Sequence, residues 1–127
     1  MSHLLQSQQL QVALDDTGDF LAFIQLQPNS GPVLRLICER FYADYVLSRI
    51  QIEALRVELE KVLGEYAAAL SQELLIRKQI RARSKLVQNE ILAGLLKQDL
   101  WVQKLESLIA LCDDALAGDG TLRGFGD

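Results

Sequence analysis

The residues with the clearest capacity for chemistry are five cations in one short segment. They are Arg77, Lys78, Arg81, Arg83 and Lys85. No acid interrupts this basic segment, although the whole chain carries a formal net charge of −4. Arg77, Arg81 and Lys85 recur at four-residue steps, so on a helix these like charges would repel one another.

Earlier cations follow a different rule, because most have an acid four residues away, as Arg35 has Glu39 and Arg49 has Glu53. A segment without such local pairs favours contact with phosphate, with an acidic partner or with acids of a second subunit; otherwise it is a solvated turn. Five cations without interleaved aromatic residues, in an acidic chain, are a weak pattern for nucleic-acid binding. A nucleic-acid-associated regulator that uses residues 77–85 is therefore the alternative hypothesis.

Other residue types that support catalysis lack suitable partners in the sequence. His3 is the only histidine, and it lies in a terminus that we expect to fray. Cys38 and Cys112 fall on apolar helical stripes, which indicates inert buried thiols and a reducing compartment. Three aspartates between residues 15 and 19 lack the glutamate that an EF-hand loop needs. We expect no enzyme, no cofactor and no metal site.

An apolar repeat between Val33 and Ala117 dominates the chain. It runs through Leu34, Cys38, Phe41, Tyr45, Ser48, Ile52, Leu55, Leu59, Val62, Tyr66, Ala69, Glu73, Ile76 and Ile80. The steps alternate between four and three residues, which is the spacing of helices that pair in a left-handed coiled coil. Only Ser48 and Glu73 are out of character. The repeat predicts long paired helices over residues 33–117.

One continuous helix over this range would be about 125 Å long, so we expect a reversal near residue 80. Ser84 can cap a second helix, whose apolar stripe from Val87 to Leu116 would pack back on the first. Two alternatives stay open. One is a continuous helix in an antiparallel dimer, and the other is a three-helix bundle broken at Gly64 and Gly94.

The N-terminal part lacks the helical repeat. Residues 9–27 predict a β-hairpin with strands at 9–14 and 19–26, joined by a turn that Asp and Gly favour. A short helix over residues 3–14 is the alternative. Residues 28–32 form a linker in which Pro32 suits the first turn of the next helix, and residues 118–127 read as a flexible tail.

The sequence therefore predicts one domain of 127 residues, mainly α with a small β element. An N-terminal β-hairpin would precede a long antiparallel helical hairpin that is coiled-coil-like. Half of the residues are hydrophobic, more than a solvated two-helix hairpin needs. A lone β-hairpin is also marginal in water. Both features predict a homodimer or a higher homo-oligomer.

These features favour a non-enzymatic interaction protein, such as an assembly factor, an adaptor or a chaperone. We expect apolar partner contacts at Phe20 and Phe23 on the hairpin and at Tyr42, which stands one step off the apolar repeat. The first residues lack the pattern of a secretory signal, and no apolar run is long enough to span a membrane. A cytoplasmic location without membrane contact is therefore expected.

Overall fold

The computed structural model describes residues 3–14, 20–28, 30–77 and 83–126. These residues form four strands and five helices. The strands are β1 (His3–Gln6), β2 (Gln11–Ala13), β3 (Tyr45–Leu47) and β4 (Leu122–Gly126). The helices are α1 (Phe20–Leu26), α2 (Pro32–Glu39), α3 (Arg49–Arg77), α4 (Lys85–Gln98) and α5 (Leu100–Ala117). The expected mainly helical chain with a small β element is confirmed.

The strands form one antiparallel sheet in the order β2-β1-β4-β3. In one row across this sheet, Gly124 of β4 lies between Leu5 of β1 and Tyr45 of β3. A Cβ atom at Gly124 would lie 2.2 Å from the Tyr45 ring, so the close packing of β3 on β4 requires glycine there. Alternate residues such as Leu5, Leu47 and Leu122 point inward and join the core.

The predicted N-terminal hairpin is corrected by the structure. The hairpin pairs β1 with β2, and residues 20–26 form helix α1 instead of the second strand. Phe20, Phe23 and Ile24 are buried at steps of three and one, so one face of a short helix meets the core. The turn at residues 15–19 lies outside the described residues.

Both chain ends were also predicted wrongly. Residues 122–126 of the expected flexible tail form the interior strand β4. His3 of the expected frayed terminus is fully buried, and its Nε2 atom lies 2.7 Å from the Tyr45 hydroxyl. The His3 ring stacks on Phe41 with 4.8 Å between centroids. These residues are ordered because β1 and β4 pair with each other from opposite ends of the chain. No local sequence pattern predicts this pairing.

The long apolar repeat does not begin as one helix, because α2 ends at Glu39 and strand β3 precedes α3. Ser48 and Gln51 form a capping box that starts α3. The Ser48 amide donates to Gln51 Oε1 at 2.9 Å, and the Gln51 amide donates to Ser48 Oγ at 3.3 Å. Ser48 is thus a polar residue within the apolar repeat because it caps the start of α3.

Helix α3 ends at Arg77, α4 begins at Lys85, and the two helices contact each other. Residues 78–82, where the reversal was expected, lie outside the described residues. Ser84 caps α4 as expected, since its Oγ accepts from the Val87 amide. Arg49 near the start of α3 donates to the Leu116 carbonyl oxygen near the end of α5, 3.2 Å away. Helix α5 therefore runs antiparallel to α3.

The two alternative arrangements are wrong for the described chain. Gly64 and Gly94 lie inside α3 and α4, so neither glycine breaks a helix. A further break that the sequence did not suggest separates α4 from α5 at Asp99, whose carboxylate accepts from the Val102 amide at 3.0 Å.

One hydrophobic core joins the sheet, α1, α2, α5 and the first half of α3. Its fully buried members include Leu5, Leu14, Phe20, Leu34, Ile37, Leu47, Ile52, Leu55, Leu59, Leu105 and Leu111. On α3 the buried members of this core end at Val62, and on α5 they begin at Leu105. The last turns of α3 and all of α4 lie outside it.

Glu58 of α3 supplies the N-terminal cap of α2, whose own N-cap residue is Gly31. Its two carboxylate oxygens accept from the Val33 amide at 3.2 Å and from the Leu34 amide at 2.9 Å. A Cβ atom at Gly31 would lie 2.4 Å from Glu58 Cδ, so glycine makes room for this cap. A negative charge also suits the positive end of the α2 dipole.

Replacing Glu58 with alanine should lower the free energy of unfolding by about 1 kcal/mol, because two amides of α2 lose their acceptor. Urea denaturation followed by circular dichroism measures the change. Glu53→Ala is the matched control, since Glu53 is an exposed glutamate of the same helix. Equal effects of the two substitutions would contradict a capping role.

Candidate interaction surfaces

The aromatic residues predicted to contact a partner at the N-terminal hairpin are core residues instead. The ring of Phe23 stacks on Trp101 with 4.0 Å between centroids and meets Tyr66 edge-on at 5.3 Å. Phe20 is fully buried, and its centroid lies 6.5 Å from that of Trp101. The prediction for Phe20 and Phe23 as exposed contacts is therefore wrong, because α1 turns both rings inward.

The same aromatic cluster marks the point where the α3–α4 pair leaves the core. The Tyr66 hydroxyl donates to the two carboxylate oxygens of Asp99 at 2.9 and 3.0 Å. Asp99 also caps α5, so one carboxylate links α3 to the break between α4 and α5. Burial raises the pKa of the Tyr66 hydroxyl above its usual value, and the hydrogen bond to Asp99 adds to the rise.

We call the hydrogen bonds between Tyr66 and Asp99 the Tyr66–Asp99 brace. Beyond it, residues 66–77 of α3 and helix α4 form a two-helix unit that we call the distal hairpin. Helix α4 has no buried residue, although half or more of its positions are apolar. Exposure reaches 63% at Ile76 and 69% at Leu86. Further apolar side chains are half-buried at Leu70, Leu75, Val87, Ile91, Leu92, Leu95 and Leu96. The distal hairpin thus presents an uncovered apolar surface.

The described residues of the basic segment lie where the two helices of the distal hairpin end and begin. Arg77 ends α3 and Lys85 begins α4. Arg83 and Lys85 are exposed, whereas Lys78 and Arg81 lie outside the described residues. The structure therefore brings the described part of the segment to one end of the molecule.

A second apolar surface follows the β3 edge of the sheet. Tyr42 precedes the strand, Val46 is its middle residue and Ile50 is the second residue of the following helix. Their exposed fractions are 62%, 59% and 78%. Val46 pairs with Arg123 on the outer face, and no other described strand lies beyond β3. The expected exposure of Tyr42 thus belongs to a longer apolar edge.

The other edge of the sheet is covered. Helix α5 packs against β2, and the Lys104 ammonium donates to the Ala13 carbonyl oxygen. Asp114 of α5 also accepts from the Ser7 hydroxyl and from the Gln9 amide in the β1–β2 turn. The two edges therefore differ: α5 contacts the β2 edge through side chains, and no described strand pairs with the outer side of β3.

The two cysteines are free thiols, half-buried at Cys38 and buried at Cys112. Burial raises the pKa of Cys38 to about 11 and that of Cys112 to about 12, with Glu39 and Asp113 adding to the respective rises. Both thiols are thus protonated at neutral pH, when a nucleophile would need to be a thiolate. No three His, Cys, Asp or Glu side chains cluster as metal ligands within the described residues.

None of the helices in the described parts of the chain is long and apolar enough to cross a bilayer.

Val46 and Ile50 were missed as surface residues because the apolar repeat was read as one helix through Ser48. Two signals could have found them. Tyr45-Val-Leu is a short run of residue types that favour strands, and Ser48 with Gln51 has the spacing of a capping box. Together they indicate a strand followed by a new helix.

Replacing Tyr66 with phenylalanine should lower the free energy of unfolding at neutral pH by about 1 kcal/mol, because the hydrogen bond to Asp99 is lost. Chemical denaturation measures this loss. Tyr42→Phe removes a hydroxyl from an exposed tyrosine and is the matched control.

Replacing Tyr66 with phenylalanine should also change how the free energy of unfolding depends on pH above pH 10. The ordinary pKa of this hydroxyl is 10.0, and the folded protein raises it. The unfolded chain therefore releases the proton first, and the stabilisation is present below pH 10 and lost as the pH rises through the folded value. Tyr66→Phe should decline less steeply above pH 10 than the wild type. If the free energy of unfolding falls equally steeply above pH 10 in the wild type and in Tyr66→Phe, the Tyr66–Asp99 brace does not stabilise the fold.

No family model, no curated protein and no solved structure matches the chain. The function of these surfaces is therefore inferred from their geometry and chemistry.

Proposed function

We propose that the chain is a non-enzymatic interaction protein that acts as a homo-oligomer in the cytoplasm. Two copies pair through their distal hairpins, which form an antiparallel, coiled-coil-like four-helix bundle. The observation that carries this proposal is helix α4, which has no buried residue within one copy despite its apolar sequence.

Energetic considerations support pairing of the hairpins. A helix of 14 residues is marginal in water unless an apolar face is covered. Leu74 is buried but lies outside the main core, so the single hairpin provides a second, much smaller apolar centre. A second copy would bury the exposed Ile76 and Leu86 and the exposed parts of the intermediate side chains, at about 25 cal/mol for each Å² removed from water.

The distribution of charge also suits a covered hairpin. Residues 67–76 contain only Glu73 as a charged residue, and residues 86–96 contain only Glu90. A solvated helix pair would carry many more charges on its outer faces. Antiparallel packing brings the basic tip of one hairpin toward these acids of the other, which relieves the repulsion among the five cations.

A homo-oligomer repeats every surface that it leaves exposed, so a protein partner can be held at more than one point. Leu26 and Val57 are exposed apolar residues outside the distal hairpin and remain available for such contacts. This arrangement suits an adaptor, an assembly factor or a chaperone.

Replacing Ile76 and Leu86 together with glutamine should weaken self-association at least about tenfold, because apolar area is lost only in the assembly. Both side chains are exposed in one copy, so the fold should be retained. Size-exclusion chromatography with multi-angle light scattering over a range of concentrations measures the mass.

The matched control is Leu26→Gln with Val57→Gln, a pair of similarly exposed apolar residues outside the hairpin. The control should keep the wild-type mass. If the Ile76 and Leu86 variant also keeps it, the distal hairpin is not an oligomer interface.

The exposed Arg83 and Lys85 support a second candidate function, a nucleic-acid-associated regulator. Under this alternative, Arg83→Glu with Lys85→Glu should weaken binding to a short fluorescent duplex. The slope of log affinity against log salt should fall by about 2, because roughly one counterion is released for each phosphate contact. Arg35→Glu with Lys61→Glu is the control, and absence of binding by the wild type removes the alternative.

A further inference from the structure

We propose that the outer face of the sheet binds single-stranded RNA, with one base stacked on Phe125 and a phosphate at Arg123. Both residues belong to β4, an interior strand of the sheet. This inference goes beyond the proposed function and does not depend on it, because the face is complete in a single copy. The two proposals are tested by different measurements, RNA binding for this one and mass for the other.

The sheet has a buried inner face and an open outer face. Leu5, Leu47 and Leu122 lie on the inner face and are buried in the core. Successive side chains of a strand point to opposite faces, so Arg123 and Phe125 point outward. Both are exposed. The outer face of β4 is therefore accessible to a ligand.

Phe125 is the exposed member of the four phenylalanines in the chain. The other three are at most 7% exposed, whereas Phe125 is 37% exposed. The strand register sets it beside Leu4 of β1, which is half-buried. An aromatic ring on the surface of a sheet is a platform on which nucleic-acid bases stack.

Two glycines determine which side chains β4 presents. A Cβ atom at Gly124 would lie 2.2 Å from the Tyr45 ring, and one at Gly126 would lie 2.5 Å from neighbouring backbone atoms. The strand therefore packs closely on its inner side and presents Arg123 and Phe125 on its outer side. The four-stranded sheets of RNA-recognition modules carry the same order of residue types, namely a cation, glycine, an aromatic residue and glycine. A four-residue pattern is weak on its own, but here its side chains occupy the open face of such a sheet.

A pocket of about 210 Å³ opens beside the Phe125 ring. It is lined by Phe125 and Arg123 of β4, by Gln6 and Gln8 at the end of β1 and beyond it, and by Asp119 before β4. Its volume is below the range of pockets for drug-sized ligands and suits a single planar ring.

The polar side chains of this pocket are available to a ligand. Those of Gln6, Gln8 and Arg123 form no hydrogen bond or ion pair within the described part of the chain. Each glutamine amide can both donate to and accept from a ribose 2′-hydroxyl, which favours RNA over DNA. The guanidinium of Arg123 suits a phosphate.

Asp119 determines which part of the RNA the pocket suits. Its Oδ1 atom accepts from the Thr121 amide at 3.0 Å. Hydrogen bonds from Thr121 lower the pKa of Asp119, and the charge of Arg123 adds to this effect. An ionised carboxylate repels phosphate and accepts from N–H groups. The pocket therefore suits a base that carries an amino group, such as adenine or cytosine, and the phosphate lies outside it near Arg123.

Fluorescence polarisation with a labelled oligoadenylate RNA of about ten nucleotides measures the binding. Phe125→Ala should weaken binding about tenfold or more, because a stacked base is lost. Phe125→Tyr should retain binding, because the ring remains. Leu26→Ala is the matched control, since Leu26 is an exposed apolar residue outside the sheet. Circular dichroism and the thermal midpoint check that each variant is folded.

Arg123→Gln should weaken binding and lower the slope of log affinity against log salt by about 0.7, because one phosphate contact of a single strand is lost. Arg35→Gln is the control, an exposed arginine of α2, and should bind like the wild type. Arg83→Glu with Lys85→Glu should also leave this binding unchanged. If that variant abolishes binding, the basic segment and not the sheet face holds the RNA. If Phe125→Ala does not fold, the comparison of Arg123→Gln with Arg35→Gln decides the question.

Asp119→Asn tests the choice of base, because an amide oxygen can still accept from the Thr121 amide. The wild type should bind oligoadenylate more tightly than oligouridylate, since uracil has no amino group, and Asp119→Asn should reduce this preference. The inference is overturned if the wild type binds no single-stranded RNA or binds DNA of the same sequence as tightly. Binding by folded Phe125→Ala at the wild-type affinity overturns it as well.

Discussion

The pairing of β4 with both β1 and β3 is the constraint on which the rest of the structure depends. It joins His3 to Gly126 across nearly the whole chain, so closing it costs more chain entropy than any local contact. Gly124 makes the closure possible because the Tyr45 ring occupies the space where a side chain would lie. Once β3 is held there, the start of α3 is fixed as well.

Buried core residues are distributed unevenly along the structure. The sheet, α1, α2, α5 and the first half of α3 share one core. The end of α3 and the whole of α4 extend beyond it, attached through the Tyr66–Asp99 brace and the stacked rings of Phe23 and Trp101. Stability is concentrated in the body, because burial of apolar area is concentrated there. The distal hairpin buries the least apolar area of the described parts of the chain.

Two kinds of uncovered surface follow from this arrangement. The distal hairpin has exposed aliphatic side chains at Ile76 and Leu86, and the β3 edge has backbone groups flanked by exposed apolar side chains.

The sequence by itself determined the features that depend on near neighbours. These were the mainly helical class, the Ser84 cap and the exposure of Tyr42. The apolar period and the capping residues act within a few positions of the chain, so they can be read directly. The oligomer and the function remain hypotheses. The apolar repeat indicates that its side chains must be buried, but it does not identify the molecule that buries them.

Only the tertiary structure decided the features that depend on distant partners. It turned Phe20 and Phe23 inward on α1, made a strand of residues 122–126 and buried His3 beside Tyr45. It also ended the first helix before an open edge strand. A strand of three to five residues gains its stability from the neighbours with which it pairs, and those neighbours lie far along the chain.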